Sequence, residues 1–127
     1  MSEKHVYEYA VIRVVPKVER EEFINVGIIL FSKKANFIKV LFHIDEERLR
    51  FFSNEIDCNQ LHENLDAFER ISRGDRNAGP IAQEDLPSRF RWLTAIRSSM
   101  IQTSRPHPGK ADDLEKATEQ LLKEYVG

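Results

Sequence analysis

From Asn25 to Ile44 the chain reads NVGIILFS, then KKAN, then FIKVLFHI. Two apolar runs rich in β-branched and aromatic residues, separated by four turn-forming residues, predict an antiparallel hairpin. A third such run precedes it. Val6 to Val15, VYEYAVIRVV, stops at Pro16, which has no N–H for a ladder. Tyr7, Tyr9, Val11, Arg13 and Val15 fall on one side of that run, and Val6, Glu8, Ala10, Ile12 and Val14 on the other. Both sides are largely apolar, so the run predicts an inner strand covered on both faces. Between the two, Lys17 to Phe23 is polar and reads as one helical turn.

After Ile44 the period changes from two to that of a helix. Asp45 is the expected N-cap of a short helix with acidic residues in its first turn. Asp57 begins another, with Leu61, Leu65, Phe68 and Ile71 at helical spacing and Gly74 as its stop. Gly74 to Asp85 carries two glycines and a proline and reads as a long flexible loop, a candidate lid. Leu86, Phe90, Leu93 and Ile96 predict a third helix with Pro87 in its first turn. Met100 to Ser104 reads as a short late strand. Asp112 and Glu115 have capping-box spacing before a closing helix that buries Leu114, Ala117, Leu121, Leu122 and Tyr125.

Strands followed by helices, with one late strand, predict an α+β fold. Its sheet would be small, antiparallel or mixed, with three or four strands packed against four helices. The 127 residues make one ordinary domain, spanning 1–127. Apolar residues are 41% and charged residues 31%, a globular composition. A net charge of −2 supplies no bulk attraction to nucleic acid or anionic membrane. The lone Cys58 forbids an internal disulfide, and the start MSEKHVYEY has no apolar leader segment, so a cytoplasmic protein is the expectation.

No phosphate loop, dinucleotide fingerprint or nucleophile elbow occurs. The four histidines are scattered without metal-ligand spacing, so neither metal nor cofactor is expected. Cys58 lies on an apolar helix stripe and reads as a small core residue.

Three features survive. Arg13 is a permanent charge on an otherwise apolar strand face. It needs a strong acceptor, and an ion pair with Glu8, Glu21 or Glu22 is the simpler expectation than a ligand. Asn25 and Gly27 open an apolar strand and suggest a bulge with a local side-chain cap, or a close backbone approach. Third, Ser88 to Lys110 holds Arg89, Arg91, Arg97, Arg105 and Lys110 and no acid, so it carries +5 in a chain of net −2. Within it Arg97, Ser98, Ser99 and Gln102 form a donor set suited to a phosphate or carboxylate. The bland alternative is a helix end whose arginines lie along its flank.

Two blocks, YEYAVIRVVPKVEREEFINVGIILF and WLTAIRSSMIQTSRPHPGKADD, resemble a bacterial family, domain of unknown function 3037. The first carries the resemblance through Tyr9, Arg13, Pro16, Glu22, Phe23, Asn25, Gly27 and Phe31. The second carries it through Trp92, Leu93, Arg97, Ser98, Gln102, Ser104, His107, Gly109 and Asp113. Leu114 stands where members commonly have proline, and Pro108 falls inside the His–x–Gly motif. Members often occur beside proteins resembling HipA-type Ser/Thr kinases, so the resemblance implies a kinase-linked role at most.

The leading expectation is therefore a binding or accessory module that acts with a partner protein, such as a HipA-like kinase, without catalysis of its own. The alternative is a nucleotide- or phosphoester-handling enzyme. There Arg13, Asn25, Arg97, Ser98, Ser99 and Gln102 hold an anion, and Glu22 or His107 acts as acid or base. Nucleic-acid binding through Arg89, Phe90, Arg91 and Trp92 ranks third, because Phe90 falls on the apolar stripe.

Overall fold

The first strand organises everything else. In the computed structural model, which describes residues 4–16, 22–53, 56–95 and 100–127, β1 (His5–Val14) has strands on both of its edges. On one edge lies the hairpin, β2 (Ile24–Ser32) and β3 (Phe37–Phe42). On the other, β4 (Ile101–Thr103) pairs with residues 12–14 and β5 (His107–Ala111) with residues 5–9. All four pairings are antiparallel. Between β4 and β5, Val11 is served by one residue: its N–H donates to Ser104 Oγ at 2.9 Å, and its carbonyl accepts from the Ser104 N–H at 2.9 Å. The two short strands thus form one nearly continuous edge.

Helices cover both faces, as the two apolar sides of β1 require. One face buries Ala10, Ile12, Val14, Val26 and Ile29 against Leu49 of α1 (Glu46–Phe52), Leu61 and Leu65 of α2 (Cys58–Ser72), and Phe90 and Leu93 of α3 (Leu86–Leu93). The other buries Val11, Ile28 and Leu30 against Leu114, Ala117 and Leu121 of α4 (Leu114–Tyr125). Asp45, Asp57 and Asp85 cap α1, α2 and α3 by accepting from backbone N–H groups of the first turn. The chain is an α+β fold with four helices and a five-stranded antiparallel sheet among the described residues.

The hairpin and the inner first strand are as the sequence indicates. The register of β1 against β2 shifts between Ile12 and Arg13, where Gly27 and Asn25 face them and Val26 is the extra residue. This is the expected bulge. Gly27 is also the expected close approach, since a Cβ there would lie 2.6 Å from the Leu41 carbonyl oxygen.

Four expectations need correction. The sheet has five strands instead of three or four, because His107–Ala111, whose opening His-Pro-Gly reads as a turn, pairs with β1. Pro108 is tolerated at that edge, and Gly109 lies directly against the ring of its register partner Tyr7. The cap of α4 is Asp113, accepting from Lys116 N–H at 3.1 Å, not Asp112. Asp75 accepts from Arg70 Nε at 3.0 Å and from the Asn77 N–H, and Gln83 donates to the carbonyls of Asp75 and Arg76. Residues 74–85 are therefore a tied loop containing a 3-10 turn over Ile81–Gln83, not a loose lid. Lastly, α3 ends at Leu93 with Thr94 as its cap. Ile96, and residues 17–21 of the expected helical turn, lie outside the described residues. Cys58 is half-buried at the first position of α2.

Candidate functional site

Strand pairing fixes which polar residues share a face. Arg13 is the register partner of Asn25 on β2 and of Gln102 on β4. Paired residues of an antiparallel ladder project to the same side. Arg13, Asn25 and Gln102 therefore form a row across three adjacent strands, on the face that carries α4. Asn25 Nδ2 donates to the carbonyl oxygen of Tyr125, in the last turn of that helix, at 3.1 Å. The row lies beside the C-terminal end of α4, forming a polar shelf there.

Arg13 does not make the expected ion pair with Glu8 or Glu22; among the described residues it forms none. Glu21 lies outside the described residues. Instead its guanidinium carbon sits 4.1 Å from the centre of the Phe23 ring, a cation–π contact. Burial lowers the guanidinium pKa from its ordinary value, and the group still holds its charge at neutral pH. Its Nε is buried and has no hydrogen-bond partner. Asn25 Oδ1 is likewise buried and unpartnered. Asn25 is thus no local cap: its amide is committed to a helix 100 residues away.

Next to the row is an aromatic group. Tyr9 and Tyr125 share a hydrogen bond between their hydroxyls at 2.9 Å. The rings of Tyr7, His107 and Tyr125 lie 6.2, 5.5 and 5.9 Å from that of Tyr9. The bond to Tyr125, with burial second, pushes the Tyr9 hydroxyl up to about 12 from 10.0. A raised acid pKa means that the folded state holds the proton. The stabilisation is whole below pH 10 and drains away as pH rises from 10 through 12. In a spectrophotometric titration, Tyr9 should ionise well above the ordinary tyrosine range. In Tyr125→Phe its midpoint should move down toward 10, and an unmoved midpoint would remove Tyr125 as the cause.

Of the two proposed acid–base residues, His107 stands apart from Arg13. His107 is exposed and opposite Tyr9, four residues along β1 from Arg13, a separation of about 13 Å along the strand. Glu22 is exposed just before β2. Arg97, Ser98 and Ser99 lie outside the described residues, so the anion set is described only through Arg13, Asn25 and Gln102. Two cavities touch this row. Asn25 lines one of about 160 Å3 with His43, Asp45, Arg48 and Val126. Gln102 lines an apolar one of about 330 Å3 with Phe68, Ile71, Trp92 and Met100. Among the described residues, no three of His, Cys, Asp and Glu gather closely enough to hold a metal ion.

A family model described as Protein of unknown function (DUF3037) matches residues 9–126. The chain belongs to the DUF3037 family. No curated protein and no solved structure matches it.

The two blocks that carry the DUF3037 resemblance are the two that meet in the sheet. Arg13 and Asn25 of the first stand in register with Gln102 of the second, Tyr9 with His107, and Ser104 closes onto Val11. Other residues of this DUF3037 chain that drew attention serve the framework. Arg89 donates from Nε to the Ser72 carbonyl at 3.2 Å and from Nη1 to the Glu84 carbonyl at 2.6 Å. Phe90 is core, stacked on Phe31 with 4.8 Å between ring centres. Arg91 and Trp92, the other two residues of the nucleic-acid reading, are exposed. No helix among the described residues is long and apolar enough to cross a membrane. Sequence reasoning missed Tyr125 as a site residue, because the closing helix reads as burying it in core; it stands 37% exposed at the helix end.

Proposed function

We propose that this DUF3037 chain is a binding or accessory module, and that the shelf around Arg13 is where it reads a partner protein. The carrying observation is Arg13 itself: a guanidinium with a buried, unpartnered Nε and, among the described residues, no carboxylate. A buried donor on a charged group left unsatisfied is costly. Holding a half-buried charge beside Gln102 and Asn25 makes sense when an external acceptor meets the guanidinium. Phe23, 45% exposed beneath the guanidinium, adds an apolar flank suited to a protein surface. The family's association with HipA-type kinases makes such a kinase, acting in the cytoplasm, the first partner to try.

The test is co-purification of the tagged chain with a neighbouring HipA-like kinase. Arg13→Ala should abolish recovery, while its circular dichroism and melting curve stay those of a folded protein. Undiminished recovery by that variant would remove the shelf from the interface. The enzyme reading draws its support from the same row, through the single charge of Arg13. It requires Arg13-dependent turnover of a phosphoester, and His107 as acid or base would have to act across the roughly 13 Å that separates it from Arg13 along β1.

A further inference from the structure

The two edges of the sheet are built differently. One is broken: β4 has three residues and β5 five, with Pro106 in the joint between them and Pro108 within β5. Short strands and prolines blunt an edge against further pairing. The other edge is β3, six residues with no proline, no glycine and no break in its register with β2. Among the described residues no strand pairs with its outer side. The His43 N–H donates to the Val26 carbonyl at 2.8 Å. Ladder bonds of an antiparallel pair fall on alternate residues. Phe37, Lys39 and Leu41 therefore turn their N–H and C=O groups toward β2, and Ile38, Val40 and Phe42 turn theirs outward. The side chains of these three pack toward α2, and Val40, 7% exposed, has its side chain in the core, so main chain is what they leave at the rim. A lysine often guards such an edge. Here Lys39 is drawn to Glu115 of α4, at 3.9 Å.

Charge selects the occupant. Lys33 and Lys34 are exposed in the turn that leads into β3, and Asp45, Glu46 and Glu47 are exposed where the chain runs on into α1. A strand that is basic before its start and acidic beyond its end is complementary to an antiparallel copy of itself. We propose that β3 pairs with β3 of a second copy of this chain about a two-fold axis at Val40, joining two five-stranded sheets into one. Val40 then meets the partner's Val40, and Ile38 the partner's Phe42, each giving and accepting a main-chain hydrogen bond. Lys39 faces the partner's Leu41, so no like charges stand directly opposite. Lys33 and Glu47 lie equally far from Val40 along the chain, which brings each to the level of the other across the axis. Neither makes an ion pair among the described residues. A net charge of −2 sets little repulsion between copies. The pairing uses the sheet edge and not the shelf at Arg13, so it stands or falls apart from the partner reading.

The experiment uses the full chain. Sedimentation equilibrium over a rising concentration series should show the mass climbing to twice that of one chain. In the same series, amide hydrogen exchange should slow at Ile38, Val40 and Phe42 and stay unchanged at Lys39 and Leu41, which β2 already holds. Lys33→Glu and Glu47→Lys, both at exposed positions, should each weaken association about tenfold, because like charges then face each other twice across the axis. Mixed in equal amounts, the two variants should associate as the parent does, since every pair across the axis is again of opposite sign.

A chain that stays monomeric to millimolar concentration overturns the proposal. So does a dimer in which those three amides do not slow, because its interface then lies elsewhere. Slowing that appears only when another protein is added assigns the edge to that protein's strand and overturns self-pairing as well. Mixed variants that fail to recover association overturn the pairing centred on Val40.

Discussion

Leu65→Ala should lower the free energy of unfolding by about 2–5 kcal/mol, read as a fall in the urea midpoint at unchanged slope. Leu65 lies mid-way along α2, is fully buried, and belongs to the cluster that joins α2 to Ile12, Val14 and Ile29 of the sheet. Removing its branched end takes away apolar burial and leaves a hole, since a strand floor and a helix anchored by its Asp57 cap relax only partly. A domain of this size has about 5–15 kcal/mol in total, so the loss is a large fraction of it. Because α2 packs on the sheet face opposite Arg13 and Asn25, the folded fraction should bind a partner as the parent does. A change below about 1 kcal/mol would mean that the α2–sheet layer is much more plastic than its burial indicates.

Gly27→Val should cost about 1–3 kcal/mol or more, by overpacking instead of by a cavity. The added Cβ would stand 2.6 Å from the Leu41 carbonyl oxygen, 3.0 Å from Phe42 Cβ and 3.2 Å from Phe42 Cα. Two of these three obstacles are backbone of β3, and neither can swing aside as a side-chain tip would. The strands must part or the bulge must move. Either response should disturb Asn25, two residues away, and break its bond to Tyr125. The variant should therefore lose stability and, in the same molecule, the distinct amide proton signals of Asn25. Loss of stability with those signals intact would show that bulge and shelf are independent. Gly27→Ala should act in the same direction more weakly.

What could be read from the sequence followed how local each cause is. The hairpin, the inner first strand, and the caps at Asp45 and Asp57 arise from neighbouring residues, and all of them form as expected. The bulge was legible through Gly27, because a glycine in a greasy strand has few other uses. The fifth strand was not, since His107, Pro108 and Gly109 have no strand preference. They pair because β1 offers an open edge and Tyr7 a ring to lie against Gly109. The loop over residues 74–85 looked loose because the bonds of Asp75 and Gln83 join residues whose meeting only the folded chain reveals. The site divides similarly. The chemistry of Arg13, Asn25 and Gln102 is legible residue by residue, but that they stand in one row depends on register. The role of Tyr125 depends on where a helix ends over a strand far away in sequence.

The placement of β1 also sets an order of events during synthesis. Its open edge is filled only by residues 101–111, and its other face by a helix that ends at Tyr125. Tyr9 and Tyr125 are 116 residues apart along the chain. Such distant pairings are slow to close, since the entropy of a long loop is lost before any contact returns it. On the ribosome, β1 and the hairpin must wait with one edge and one apolar face open until the last quarter of the chain emerges. At about 5–20 residues per second, that wait is seconds long. During that interval the nascent chain presents the kind of surface that chaperones hold, and final folding is expected to begin only after synthesis of the closing helix.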